Sequence, residues 1–300
     1  MSVFFIFLTA FIWSSSFAFS KLAMEAASPM FVTGSRMLIA GIVLTGIVIW
    51  KKGSLRLPKN MYLPVGIVSV VGFYLTNVCE FLGLQHLSSA KACFIYGLSP
   101  FVSALFSYVQ LREIVTIKKF CGLSLGLLGY LFYLFFGGVE TTWSWQLGWA
   151  EVLVLLATCL GSFSWTLLRK IEKSSSLSVM AINAYAMVIA GILSLGHSLI
   201  VETWRPMPVS NFQVFIQAIF CLVLFSNLIS YNLYAKLLKK YSSTFLSFCN
   251  LVMPLFSAFY GWVLLGENFS RSLPFAVAFM IIGCRMIYGE EFRQGYISCE

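Results

Sequence analysis

The feature that most constrains this chain is a repeat at fixed spacing. Ser88, Ser89, Pro100, Ser103, Ala104, Leu111, Glu113 and Gly129 recur 154 positions later as Ser242, Ser243, Pro254, Ser257, Ala258, Leu265, Glu267 and Gly283, with no gap required. Trp13 is likewise echoed by Trp165, and Ile39-Ala40-Gly41 by Ile189-Ala190-Gly191. Each copy holds an odd number of apolar runs. A duplicated unit of that kind must enter a bilayer the second time upside down. Two such halves enclose a site near the midplane, between them.

The runs themselves set the fold class. Hydrophobic residues make up 59% of the chain and charged residues only 10%, far from the composition of a soluble domain. Ten runs, at about 3–20, 30–50, 62–84, 90–110, 117–136, 147–168, 179–200, 213–236, 243–265 and 271–288, are each long enough to cross a hydrocarbon core of roughly 30 Å. Helix is the default for such segments, because each then satisfies its own backbone polar groups. The expectation is an all-α integral membrane protein of ten transmembrane helices, built as two inverted five-helix repeats over residues 1–144 and 145–300. The first run lacks a basic leader and is echoed in the second half, so it reads as a retained span rather than a signal peptide.

The net charge of +9 could point to nucleic acid, but its placement points to topology. With the N-terminus in the cytoplasm, the inner loops carry Lys51, Lys52, Arg56, Lys59, Arg112, Lys118, Lys119, Arg169, Lys170, Lys173, Lys236, Lys239 and Lys240. The outer loops carry only Lys21, Lys91, Arg205 and Arg271. This asymmetry places both termini in the cytoplasm of a multi-pass inner-membrane protein. No nucleic-acid partner is expected. The partners are the bilayer and a small-molecule substrate.

Chemistry-bearing motifs are sparse. Eight cysteines form no CxxC pair and read as small packing residues. Two histidines, His86 and His197, cannot build a metal cluster, and no cofactor is expected. Gly122-Leu-Ser-Leu-Gly126 matches a nucleophile-elbow pattern but lies within an apolar run rather than at a strand-to-helix turn. There is no GxxxxGK[ST] phosphate loop and no HExxH. An enzyme is not expected. Asn268-Phe-Ser270 matches a glycosylation acceptor in a predicted outer loop.

Together the residues resemble the drug/metabolite transporter superfamily in its EamA-type branch. The similarity is carried by Pro100-Phe-Val-Ser-Ala…Leu111-Arg-Glu113…Gly129 and Pro254-Leu-Phe-Ser-Ala…Leu265-Gly-Glu267…Gly283, and by Trp13 in the first run. Ser14 follows Trp13 where glycine is frequent in that family. The resemblance implies secondary transport by alternating access. It extends to the members from obligate intracellular bacteria that exchange S-adenosylmethionine for S-adenosylhomocysteine. An amino-acid or metabolite exporter, and a membrane assembly protein that moves nothing, remain as alternatives.

Two charges break the symmetry of the repeat. Arg36 and Glu80 lie within the second and third runs, where the second half has Ala186 and Tyr234. Charge inside a span is costly and usually faces a cavity or a partner. The readings left open are that Arg36 and Glu80 pair with each other, that they snorkel toward the interface, or that they hold a substrate carboxylate and a substrate cation. Trp13, Phe17, Tyr74, Tyr96, Trp165 and Tyr234 are candidate cavity rings, able to stack on a base or attract a cation. Asn77 is a candidate polar contact, with Asn183, Asn227, Asn232 and Asn250 as either helix links or lining. Glu113 and Glu267 are expected at the water boundary, holding loops.

Overall fold

The computed structural model describes residues 2–87, 92, 95–136, 148–174, 178–253, 255–256 and 273–297, all helical or in connections between helices apart from one isolated bridge. We number the helices α1 (Ser2–Ala26), α2 (Pro29–Trp50), α3 (Lys59–Leu84), α4 (Ser99–Leu111), α5 (Ile117–Phe136), α6 (Trp149–Ser174), α7 (Val179–Val201), α8 (Phe212–Leu238), α9 (Ser243–Cys249) and α10 (Leu273–Arg293). Among the described residues, five helices are long and apolar enough to cross a membrane: α2, α3, α6, α7 and α8. Pro254, Ser257, Ala258, Leu265, Glu267, Asn268 and the Ser88-Ser89 pair lie outside the described residues.

Local chemistry sets the helix starts. Pro29 occupies the first turn of α2, where its missing N–H costs nothing. Ser178, Asn211 and Ser242 begin α7, α8 and α9, their side-chain oxygens accepting from the N–H groups of Ala181 (3.2 Å), Val214 (3.2 Å) and Phe245 (2.9 Å). The start of α2 is capped from elsewhere in the fold. The Glu202 carboxylate accepts from Met30 N–H at 2.7 Å and Phe31 N–H at 3.0 Å. The backbone of Ser28 bonds Pro208 and that of Ser210 bonds Ala26, so the α1–α2 and α7–α8 connections are laced together at that end.

Packing is tightest where glycine lets backbones touch. A Cβ on Gly34 would lie 2.7 Å from Leu195, one on Gly41 2.7 Å from Val188, and one on Gly191 2.6 Å from Leu38. As the number on α2 rises, its partner on α7 falls in step, so the two helices run antiparallel. α5 and α10 do the same through Gly129 against Ala276 and Gly122 against Gly283. Small residues are what allow such approach where apolar burial alone gives helices no preference for each other over lipid.

This geometry makes a direct prediction. Gly191→Ala forces a methyl into the α2 backbone and is expected to cost about 1–3 kcal/mol. Gly46→Ala meets nothing within 4 Å, and gains helix propensity of up to about 1 kcal/mol. Thermal unfolding in detergent should therefore move in opposite directions for the two variants.

One end of the bundle holds a buried charge network. Lys119 Nζ lies 2.5 Å from Glu291 Oε1, and Arg169 pairs with Glu113. Arg169 also donates to the Tyr296 carbonyl at 3.0 Å, and Ile114 N–H donates to the Tyr296 hydroxyl at 2.9 Å. Ser242 adds a 2.5 Å bond to Glu291. Glu113, Lys119, Arg169 and Glu291 are all essentially inaccessible. Glu113, expected at the water boundary to hold a loop, is buried in the protein and paired with Arg169 of α6. Lys119 and Arg169, counted as loop charges, are buried too, because each has a carboxylate to offset its desolvation. Among the described cysteines none forms a disulfide, and Cys121 is exposed where a packed residue was expected.

Candidate functional site

The central feature of the site is a change of helix type. α3 is π-helical from Val68 to Leu75, and α8 from Leu222 to Ser230. Just beyond these turns come Asn77 and Glu80 on α3, and Tyr231 and Tyr234 on α8. α2 brings Arg36 against the first pair. α1 and α6 bring Trp13 and Trp165 against the second.

Arg36 is buried, and its Nη2 donates to Asn77 Oδ1 at 2.5 Å. Asn77 is fixed in turn, its amide nitrogen donating to the Phe73 carbonyl at 2.6 Å. The guanidinium carbon stands 5.9 Å from the centroid of the Phe81 ring. Its Nε is buried without a hydrogen-bond partner. Glu80 lies one turn beyond Asn77, within the field of Arg36 and beside the Tyr96 hydroxyl. The direct Arg36–Glu80 pair is not formed, since Asn77 takes the guanidinium instead. Tyr231 lies within the fields of both Arg36 and Glu80, with its hydroxyl beside the Asn77 side chain.

Behind this polar patch stands a cluster of rings from four helices. Trp13 lies 6.0 Å from Trp165, 5.1 Å from Tyr231 and 5.4 Å from Tyr234, centroid to centroid. Trp165 lies 5.5 Å from Tyr231 and 4.7 Å from Tyr234, and Phe73 closes the group at 5.3 Å from Tyr231. The mutual angles are mostly tilted or edge-on, which offers π faces in several directions. A guanidinium, a carboxylate and a group of aromatic faces thus meet at one place. They can hold an anion, a cation and a planar ring, but they contain no nucleophile and base in reach of each other. Among the described residues there is no cluster of metal ligands.

The profile of the EamA-like transporter family matches residues 1–135 and again 148–289. The chain belongs to the EamA-like transporter family. Several family members are close. A Chlamydia muridarum protein named S-adenosylmethionine/S-adenosylhomocysteine transporter is 66% identical over 300 residues, covering 99% of this chain and 94% of that one. A protein of the same name from Chlamydia trachomatis serovar D is 65% identical, with 99% and 92% covered. A more distant relative, the uncharacterized transporter YyaM of Bacillus subtilis, is 25% identical over 79% of this chain and 78% of its own. A crystal structure at 18% identity superposes with a TM-score of 0.78 over 98% of both chains, which establishes the shared fold.

Of the residues singled out in the sequence, Arg36, Asn77, Glu80, Tyr96, Trp13, Trp165 and Tyr234 come together. Tyr74 does not join them. It packs beside the Met30, Val78 and Phe81 cluster, with its hydroxyl 3.2 Å from His197 Nδ1. The side chain of Phe17 is outside the described residues. Tyr231, Phe73 and Phe81 were missed. Tyr231 had a signal: it lies 154 positions after Asn77, and one helical turn before Tyr234.

Proposed function

We propose that this EamA-like transporter takes up S-adenosylmethionine in exchange for S-adenosylhomocysteine by alternating access. The observation that carries the substrate is the two-thirds identity, over almost the full chain, to proteins of that name. The site supports it. In this reading Arg36 holds the substrate carboxylate, Glu80 the amino group, and the rings of Trp13, Trp165, Tyr231 and Tyr234 the sulfonium and the adenine. Asn77 and Tyr96 hold the two charged side chains in place.

The architecture we propose is ten spans in two inverted five-helix halves, with both termini in the cytoplasm of the inner membrane. Three observations favour it. Gly41 meets Val188 while Gly191 meets Leu38, and each residue of the first contact lies 150 positions from its counterpart in the second. Gly129 meets Ala276 while Gly283 meets Gly122, related in the same way by 154 positions. The two π-helical turns begin 154 positions apart. The buried charge network then lies at the cytoplasmic end, where it ties residues of the first half to residues of the second.

The test is uptake of radiolabelled S-adenosylmethionine into cells that express the chain. Saturable uptake, competed by S-adenosylhomocysteine, is expected. Absence of uptake in cells with the protein in their membrane would remove the substrate and leave the general carrier reading.

A further inference from the structure

The two π-helical turns are held by the same device. Thr76 Oγ1 donates to the Val71 carbonyl at 2.9 Å, and Ser230 Oγ donates to the Phe225 carbonyl at 2.8 Å. Both bonds reach back five residues, the spacing of a π turn rather than of an α turn. Thr76 and Ser230 are 154 positions apart, and so are Val71 and Phe225. The Val71 carbonyl also accepts the backbone N–H of Thr76, so the hydroxyl adds a second bond to the oxygen that defines the turn.

A π turn is rarely stable without compensation, and it concentrates at functional sites. Its geometric effect is that of one extra residue in the helix. Everything after it is rotated by about 100° relative to a continuous α-helix, the angle of one residue. The residues so rotated are those of the site: Asn77 and Glu80 follow the first turn, Tyr231 and Tyr234 the second. The first turn is also pressed onto the neighbouring helix, since a Cβ on Gly72 would stand 2.5 Å from the Ser164 side chain, next to Trp165.

We infer that Thr76 and Ser230 are positioning residues, whose hydroxyls lock the two π turns and thereby aim Asn77, Glu80, Tyr231 and Tyr234 at the substrate. Neither hydroxyl touches substrate itself. The inference rests on the proposed transport of S-adenosylmethionine for one of its two readouts only.

The first readout is the concentration dependence of labelled S-adenosylmethionine uptake, normalised to protein in the membrane. Thr76→Val keeps the shape and removes the hydroxyl; Ser230→Ala removes the other. Each is expected to raise the apparent KM about three- to tenfold, the worth of one hydrogen bond, with the maximal rate within about twofold. Thr76→Ser and Ser230→Thr keep the hydroxyl and should retain the wild-type KM. An unchanged KM in Thr76→Val and Ser230→Ala overturns the proposal, as does equal damage in Thr76→Ser and Thr76→Val. The second readout needs no substrate. Amide hydrogen exchange of the purified protein over residues 71–80 and 225–234 should accelerate in the hydroxyl-less variants and not in the conservative ones. Equal exchange in all of them also overturns the proposal. If the wild-type protein takes up no S-adenosylmethionine, the substrate assignment fails and exchange alone decides this one.

Discussion

Arg36→Ala is expected to lower S-adenosylmethionine uptake at low concentration by on the order of a hundredfold, more than any other single change in the site. Truncating one partner of a buried charged contact costs about 2–5 kcal/mol, and each 1.4 kcal/mol is about tenfold in binding. Arg36 has no substitute, because Ala186 stands at its counterpart in the second half. Its removal also leaves Asn77 Oδ1 without its donor and Glu80 without its nearby cation. Arg36→Lys keeps the charge but loses the planar fork, so it should recover only part of the activity. The exchanged variant, Arg36→Glu with Glu80→Arg, separates the pairing reading of these charges from the substrate one. A purely structural ion pair would survive exchange. Here the guanidinium is held by Asn77, whose Nδ2 is already committed to Phe73 and whose oxygen would face a carboxylate after exchange. The exchanged variant is therefore expected to stay inactive. Recovery of uptake in it would show that the charges serve each other and not the substrate.

How much of this was legible in the sequence depends on what each residue touches. Trp13 and Trp165 were found because they recur in the repeat and lie in apolar runs, where a large ring has few other reasons to be preserved in register. Arg36 and Glu80 were found because charge is rare inside a span. Their partners were harder. One of the readings left open had the two opposite charges meet directly, but Asn77 sits one turn before Glu80 and takes the guanidinium. Tyr74 was misplaced by the π turn. An α-helical register puts it near Asn77, whereas within Val68–Leu75 the faces shift, and its hydroxyl meets His197 instead. Nothing in hydropathy marks a π turn, since the residues Val68–Leu75 and Leu222–Ser230 are as apolar as their neighbours. The charge count had the opposite fault. It treats every Lys and Arg near a helix end as solvated, whereas Lys119 and Arg169 are inside, each against a carboxylate distant in sequence.

Those inner charges carry the second large effect, and it falls on stability. Arg169→Met is expected to cost about 3–5 kcal/mol, because it strands the Glu113 carboxylate in the interior and removes a donor from the Tyr296 carbonyl. For a chain of this size that corresponds to a drop in unfolding midpoint on the order of 10 °C. Glu113→Leu should fall in the same range, since the Arg169 guanidinium then lacks its counter-charge. Replacing both, with Arg169→Met and Glu113→Leu, removes the two desolvation costs together. The double variant is expected to regain most of the loss, because a buried pair is often no more stabilising than well-packed apolar residues of similar volume. Thermal unfolding of the four proteins in detergent forms a double-mutant cycle, and a coupling energy of about 2 kcal/mol or more is the expected result. Additive losses would mean that the two side chains act independently. The neighbouring pair, Lys119 with Glu291, is tied to the same segment through Tyr296, whose ring lies 5.7 Å from Lys119 Nζ. Tyr296→Ala removes that ring and the hydroxyl that accepts from Ile114 N–H beside Glu113, while leaving the carbonyl that Arg169 uses, and its loss should exceed that of Arg293→Ala, whose ion pair with Glu290 is exposed on the arginine side and contributes little.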